Sequence, residues 1–217
     1  MTAKDTVIRF LFPPVCMACG ANVTEKEGNL CPDCRAAFDA LFKPGFFLCN
    51  GGNGYADSMF SLFPYRNDLI RAFLAEYKRA AYEGNSAIFE EYGKKALAAM
   101  PFLSKADMVC YAPRSQQKRR FRFVDQSEDM AKTFSRFAGI AFEDLLYRRG
   151  LSLSQHRMKG KNRRRNVEGR FGARRYLAGE DVILIDDIVT TGASASEAAR
   201  VLKAAGAMHV WVLCFAH

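Results

Sequence analysis

Two groups of residues in this chain have the types and spacing to do chemistry. In Val182-Ile-Leu-Ile-Asp-Asp-Ile-Val-Thr-Thr-Gly-Ala-Ser194 an aliphatic run passes straight into paired acids and then into a short, hydroxyl-bearing loop. Carboxylates accept hydrogen bonds, whereas a loop that turns into a helix presents unpaired backbone N–H groups and a positive dipole end that favour phosphate. Gly192 lets the backbone approach closely or take a positive φ. Acceptors for a sugar diol therefore stand beside donors for a phosphate, and a ribose 5-phosphate presents that combination. A two-metal nuclease would gather its carboxylates from several elements, and a P-loop would need GxxxxGK[ST], which is absent.

The second group is Cys16-Met-Ala-Cys19 and Cys31-Pro-Asp-Cys34, two CxxC pairs separated by eleven residues. Each pair can supply one edge of a tetrahedron, and two pairs close a four-thiolate zinc shell with no open position for water, so the expected Zn2+ is structural. The competing uses are a redox CxxC or a disulfide scaffold. Seven cysteines are an odd number, and the apolar run Phe10-Leu-Phe12 is too short for a signal sequence or a membrane span. Reduced thiols and a cytoplasmic location are therefore expected. Cys49 has no CxxC partner and reads as a leftover ligand or a simple thiol. Cys110 and Cys214 lie in apolar, strand-like runs, where a small buried thiol is the plainer reading.

The elements that must position these groups follow from periodicity. Tyr55 to Tyr65 reads as a strand or hairpin arm. Asn67 is a plausible cap for a helix with Ile70, Phe73, Leu74 and Tyr77 on one face. A further helix is expected over 86–99, a buried strand over 107–112 ended by Pro113, and a helix opened by Asp125 and Glu128 at capping-box spacing. Val182 to Ile185 is a strand, Ser194 to Ala205 a helix with Ser194 and Glu197 again at that spacing, and His209 to Phe215 a last buried strand. Strands alternating with helices predict an α/β fold with a doubly wound, mostly parallel sheet. The expected organisation is a zinc-binding module over 1–48 and an α/β domain over 49–217, with a linking strand and helical hood over 49–105 and the core over 106–217. In such sheets ligands bind beyond the carboxyl ends of the strands, which is where Asp186 and Asp187 fall.

The 217 residues carry a net charge of +9, which favours polyanionic partners. Five basic residues and no acid lie between Arg114 and Arg122, and eleven against the single acid Glu168 between Arg148 and Arg175. Phe121 and Phe123 interleave with charge as a base-stacking surface for single-stranded DNA would require. Arg119, Arg120, Arg122, Arg163, Arg164 and Arg165 are the candidate nucleic-acid contacts; the plain alternative is a solvated charged face. The three histidines form no Ser/His/Asp arrangement, so no hydrolase is expected.

The run 182–194 closely resembles the 5-phosphoribosyl-1-pyrophosphate (PRPP) motif of type I phosphoribosyltransferases. With the CxxC pairs, Leu62-Phe63-Pro64-Tyr65, Asp125-Gln126, Arg164-Arg165-Asn166-Val167 leading to Phe171, and Lys203-Ala-Ala-Gly-Ala207, the chain resembles the ComF family, the competence protein F group, over most of its length. The resemblance implies catalytic Asp186 and Asp187 on the ribose 2′- and 3′-hydroxyls, and Thr190, Thr191, Gly192, Ala193 and Ser194 on the 5′-phosphate. It places Pro113, Arg114 and Ser115 in the pyrophosphate loop, Mg2+ between pyrophosphate and ribose, and the basic stretch from Gln155 to Arg165 in a loop that closes over PRPP. It also implies a role in single-stranded DNA uptake during natural transformation, with DNA-uptake proteins as partners. The other implied function is an active Mg2+-dependent phosphoribosyltransferase with an unidentified acceptor. The chain departs from the family in lacking a glycine that often follows the arginine in the segment 120–126 and a second cysteine near Cys49. Some purine phosphoribosyltransferases carry an acid where this chain has Thr190, and threonine cannot act as that base.

Overall fold

The computed structural model describes residues 14–24, 28–49, 54–79, 87–114, 125–149 and 169–217. Its elements in chain order are α1 (Pro32–Leu41), β1 (Gly45–Phe46), β2 (Ser58–Phe63), α2 (Asp68–Arg79), α3 (Ala87–Ala99), a 3₁₀ turn (Pro101–Lys105), β3 (Met108–Tyr111), α4 (Gln126–Ala138), β4 (Ala141–Phe142), β5 (Leu146–Arg148), β6 (Phe171–Ala173), β7 (Asp181–Ile188), α5 (Ala193–Ala204) and β8 (His209–Ala216). No helix among the described residues is long and apolar enough to cross a membrane.

Six strands form one sheet in the order β1-β2-β8-β7-β3-β4, and every pairing is parallel except β1 with β2. The strands read as unbroken apolar runs because both faces are covered. Val109, Tyr111, Ile183, Ile185, Leu213 and Phe215 point into one core with the buried faces of α2, α3 and α4. Cys110, Val182, Leu184, Val210, Val212 and Cys214 point into the other, against Ala195, Ala198, Ala199 and Leu202 of α5. That alternation is the period of two that a strand imposes, and it makes the sheet doubly wound, as the sequence predicts.

Local signals act where expected. Asn67 Oδ1 accepts from the N–H of Leu69 at 2.9 Å, capping α2, and Asp125 accepts from the N–H of Ser127 at 3.2 Å, capping α4. Helix α5 differs from its expected capping box: it opens at Ala193 behind Gly192, with no side-chain cap. Glu197 turns instead to the N–H of Gly169 at 2.7 Å and to Arg200 at 2.7 and 2.8 Å, and this two-bond pairing with a guanidinium is stronger than a single return bond to the cap N–H.

The strand read as a linker, β2, is part of the sheet and pairs in parallel with β8, Ser58 opposite Trp211. Helix α1 carries Phe38, fully buried, against Phe63 and Phe73 at ring separations of 5.2 and 5.3 Å. The four-cysteine region thus shares its core with the sheet.

Candidate functional site

From β3 the chain moves to β4 on one side, and from β7 it moves to β8 on the other. The carboxyl ends of β3 and β7 are therefore the topological switch point, where an open α/β sheet leaves a crevice. A cleft of about 190 Å³ lies there, lined by Ala112, Pro113 and Arg114 after β3 and by the run from Asp186 to Ala195 after β7. Asp186, Asp187, Thr190, Thr191, Gly192, Ala193, Ser194, Pro113 and Arg114 are thus brought to one place. Ser115 lies outside the described residues, as do Arg119, Arg120, Arg122, Arg163, Arg164, Arg165 and His156.

The two acids differ electrostatically. Asp186 is only partly exposed; burial of its carboxyl, with the charge of Asp187 beside it, pushes it well above the usual carboxylate range, and the Ser127 hydroxyl donates to its Oδ1 at 3.1 Å. Burial would also raise Asp187, but Arg114 and Lys78 outweigh it and hold that carboxyl below its ordinary value. Lys78 Nζ lies 2.9 Å from Asp187 Oδ2, and the Arg114 guanidinium donates to the same oxygen. Asp125 holds Arg114 in place by accepting its N–H at 3.1 Å. The pair therefore consists of one acid whose charged form is disfavoured by burial and one carboxylate clamped by two cations.

Beside the acids the chain supplies donors. Gly192 takes φ 73°, in the left-handed region, and the first N–H groups of α5 have no intrahelical acceptor by construction. The close approach beneath it is a second reason for glycine: a Cβ at 192 would lie 2.4 Å from Cys49 Sγ. Cys49 is buried, its thiol raised by burial; it donates to Met59 Sδ at 3.7 Å and supports the loop from below. Gly192→Ala is expected to weaken ligand binding at least tenfold and to cost about 1–3 kcal/mol through strain and overpacking. Adding Cys49→Ala should return only the overpacking share. Thermal melts of both variants check this, and a wild-type midpoint for Gly192→Ala would refute it.

Sequence reasoning missed Lys78, Ser127 and Arg148 as site residues and named Phe171 only within the family resemblance. Arg148 lines the cleft with its guanidinium 5.4 Å from the Phe171 ring; burial, then the nearby Arg170, lower its pKa. It stands on the β5–β6 ribbon, whose strands pair Arg148 with Phe171. The described flanks of the basic segment, Arg149 and Arg170, are joined by a backbone hydrogen bond of 2.8 Å, next to Arg148 and Phe171 of the cleft lining. Arg174 and Arg175 are already engaged, by Asp144 at 3.1 Å and Glu143 at 2.6 Å. Only the resemblance of Phe171 to a family position carried any signal for this part of the site.

At the N-terminal end the sulfurs of Cys16, Cys19, Cys31 and Cys34 all lie within 4.8 Å of one another. Cys19 and Cys31 are 3.7 Å apart, close to the edge of a tetrahedron built on Zn–S bonds of about 2.3 Å. The positions are set by a turn closed by Gly20 N–H to Cys16 O at 2.8 Å and by α1, which starts just after Cys31 with Pro32 in its first turn. Burial would raise the Cys16 thiol, but the backbone N–H groups of Cys31, Cys19 and Ala18 bring it down to about 6, whereas burial and the neighbouring thiols push Cys34 up. These four thiols fit a structural zinc ion.

A family model described as a double zinc ribbon domain matches residues 7–49. The chain is 29% identical over 115 residues to the DNA utilization protein YhgH of Escherichia coli O157:H7, covering 52% of this chain and 51% of that protein. Its identity to the same-named protein of Escherichia coli strain K12 is 28% over 115 residues, with the same coverage. The chain thus spans about half the length of the curated relatives it matches. Among solved structures, the glutamine phosphoribosylpyrophosphate amidotransferase of B. subtilis, complexed with ADP and GMP, is similar with a TM-score of 0.39 and 20% identity, over 61% of this chain and 27% of that one.

Proposed function

We propose that this ComF-like chain, which carries a double zinc ribbon and is homologous to the YhgH proteins, binds PRPP and takes part in handling single-stranded DNA during uptake in natural transformation. The observation that carries the ligand is the crevice: paired acids suited to a ribose diol at the end of β7, then an uncapped helix N-terminus suited to its 5′-phosphate. Pro113 and Arg114 on the facing rim would meet the pyrophosphate. Each carboxylate described around the crevice already has a cation or a hydrogen-bond donor on it, so Mg2+ would be held by the pyrophosphate and not by these acids.

The DNA half rests on the basic segments, on the cleft-rim position of the flanks of the second, and on the relatives' names. DNA-uptake proteins are the partners this role calls for. The second reading, phosphoribosyl transfer to an unidentified acceptor, is disfavoured by Thr190, whose hydroxyl is no general base. The test is calorimetric titration of PRPP with Mg2+, repeated with single-stranded DNA present and at raised salt. Saturable binding of PRPP, weakened by DNA in a salt-dependent way, is expected. Absence of any PRPP binding would overturn the ligand assignment, and DNA binding insensitive to salt would overturn the basic surface.

A further inference from the structure

The ribbon of β5 and β6 has two unlike faces. Its inner face carries Leu146 and Phe171 into the core and Arg148 into the cleft. On its outer face Tyr147 stands opposite Gly172. The backbone does not require glycine at 172, since φ there lies outside the left-handed region. The ring does: a Cβ at 172 would lie 2.4 Å from Tyr147 Cζ. The Tyr147 ring therefore lies across the ribbon on bare backbone. The Arg174 guanidinium, held by Asp144 at 3.1 Å, is 5.8 Å from the ring centroid, beyond the ~4 Å of direct stacking contact. Tyr147 is 38% exposed, so a fixed aromatic plate is left open to solvent.

Two arginines come next along the same face. The N–H of Arg149 donates to the carbonyl of Arg170 at 2.8 Å, which continues the ladder by one pair, and the period of two places both residues on the side of Tyr147 and Gly172. Among the described residues neither forms an ion pair, because the carboxylates around them are engaged: Asp144 by Arg174, Glu143 by Arg175, and Glu197 by Arg200 and the N–H of Gly169. Arg170 Nε is buried with no hydrogen-bond partner at all. Arg148, on the inner face, adds a third positive charge, bonded to the Pro113 carbonyl at 3.4 Å. Guanidiniums crowded together without carboxylates are unfavourable, and a bound polyanion removes that cost.

We propose that the outer face of this ribbon seats single-stranded nucleic acid, with one base stacked on Tyr147 and the adjoining phosphates on Arg149 and Arg170. Every base has a π face, so an open aromatic plate takes a strand of any sequence, and guanidiniums grip phosphate oxygens through paired N–H donors. A duplex keeps its bases stacked inside and would meet the arginines alone. The inference rests on the single-stranded DNA reading above and deepens it by naming where the strand lies.

The probes are a fluorescently labelled oligodeoxythymidine of about 12 nucleotides and a strand of equal length built from abasic sugars, which keeps the phosphates and lacks the bases. Anisotropy titrations use the full chain. The wild type should bind the base-bearing strand roughly fivefold or more tighter than the abasic one. Tyr147→Ala should lose about fivefold or more on the base-bearing strand and little on the abasic one, while Tyr147→Phe binds both like wild type. Arg149→Gln should weaken both strands alike and reduce the slope of log affinity against log salt by about 0.7. A ring that merely covered Gly172 would not separate the two strands. Equal wild-type affinity for both, an unchanged preference in Tyr147→Ala, or duplex DNA bound as tightly as the thymidine strand overturns the inference while DNA binding stands. No binding of either strand overturns both. Should Tyr147→Ala fail to fold, Tyr147→Leu, which still covers Gly172 but has no π face, takes its place.

Discussion

Stripping the metal from the four-cysteine cluster will loosen the sheet as well as the cluster. Metal binding to such sites supplies about 10–16 kcal/mol in small zinc modules and is inseparable from their folding. Here the module's helix inserts Phe38 among Phe63, Phe73 and Tyr92, and Phe63 in turn lies 4.8 Å from Phe215 of β8. Releasing Phe38 is comparable to a core Phe→Ala change of roughly 3–5 kcal/mol, enough to lower the melting midpoint by roughly 10 °C or more. Zinc chelation, or Cys34→Ser, should therefore reduce the near-ultraviolet aromatic signal and lower the midpoint of the entire chain. Phe38→Ala should lower the midpoint while zinc content stays at wild type. A chelated protein that melts unchanged would show that the module folds apart from the sheet.

The second large effect separates two adjacent acids. Asp187→Asn should weaken PRPP binding by about a hundredfold or more and destabilise the chain by up to about 3 kcal/mol, because it leaves Lys78 and Arg114 partly buried without their carboxylate. Asp186→Asn should keep the fold, since the amide places no charge in a site where burial disfavours one and can still accept from Ser127. The pH dependences have opposite signs. Asp187, depressed in the fold, contributes stability above the unfolded carboxylate value of about 4 and loses it as the pH falls through its lower folded value. Asp186, raised in the fold, favours folding fully at low pH, and that contribution declines as the pH rises above about 4, by up to about 1.4 kcal/mol per unit, until its folded value is passed. Melting curves between acid and neutral pH therefore distinguish the two. Equal losses for both substitutions at neutral pH would refute the asymmetry.

What was legible in the sequence was what lies close along the chain. The run 182–194 carries strand, acids, loop and helix in one stretch, and the CxxC pairs carry their own turns, so both groups could be read without knowing the fold. Lys78 and Arg148 could not. Each comes from an element whose place depends on sheet order, and nothing in Glu76-Tyr77-Lys78 or Tyr147-Arg148 marks a neighbour of Asp187 or Phe171. The short strands β4, β5 and β6 escaped for a related reason: with two or three residues each they have no period, and they exist by pairing with partners supplied from elsewhere. The capping box read at Ser194 and Glu197 failed because spacing cannot reveal that Gly169, distant in sequence, offers its N–H to the same carboxylate. The contact of Cys49 with the loop at Gly192 likewise has no signature along the chain.

The pairing of β2 with β8 joins segments with about 150 residues of chain between them. During synthesis the four cysteines, α1 and β2 leave the ribosome long before β8 exists, so the aromatic cluster around Phe38 must wait with one wall missing. Contacts of such long range make folding slow and leave apolar surface exposed meanwhile. Early metal capture would keep the first segment ordered through that interval, and zinc supply during translation would then govern the yield of folded protein more than its final stability does.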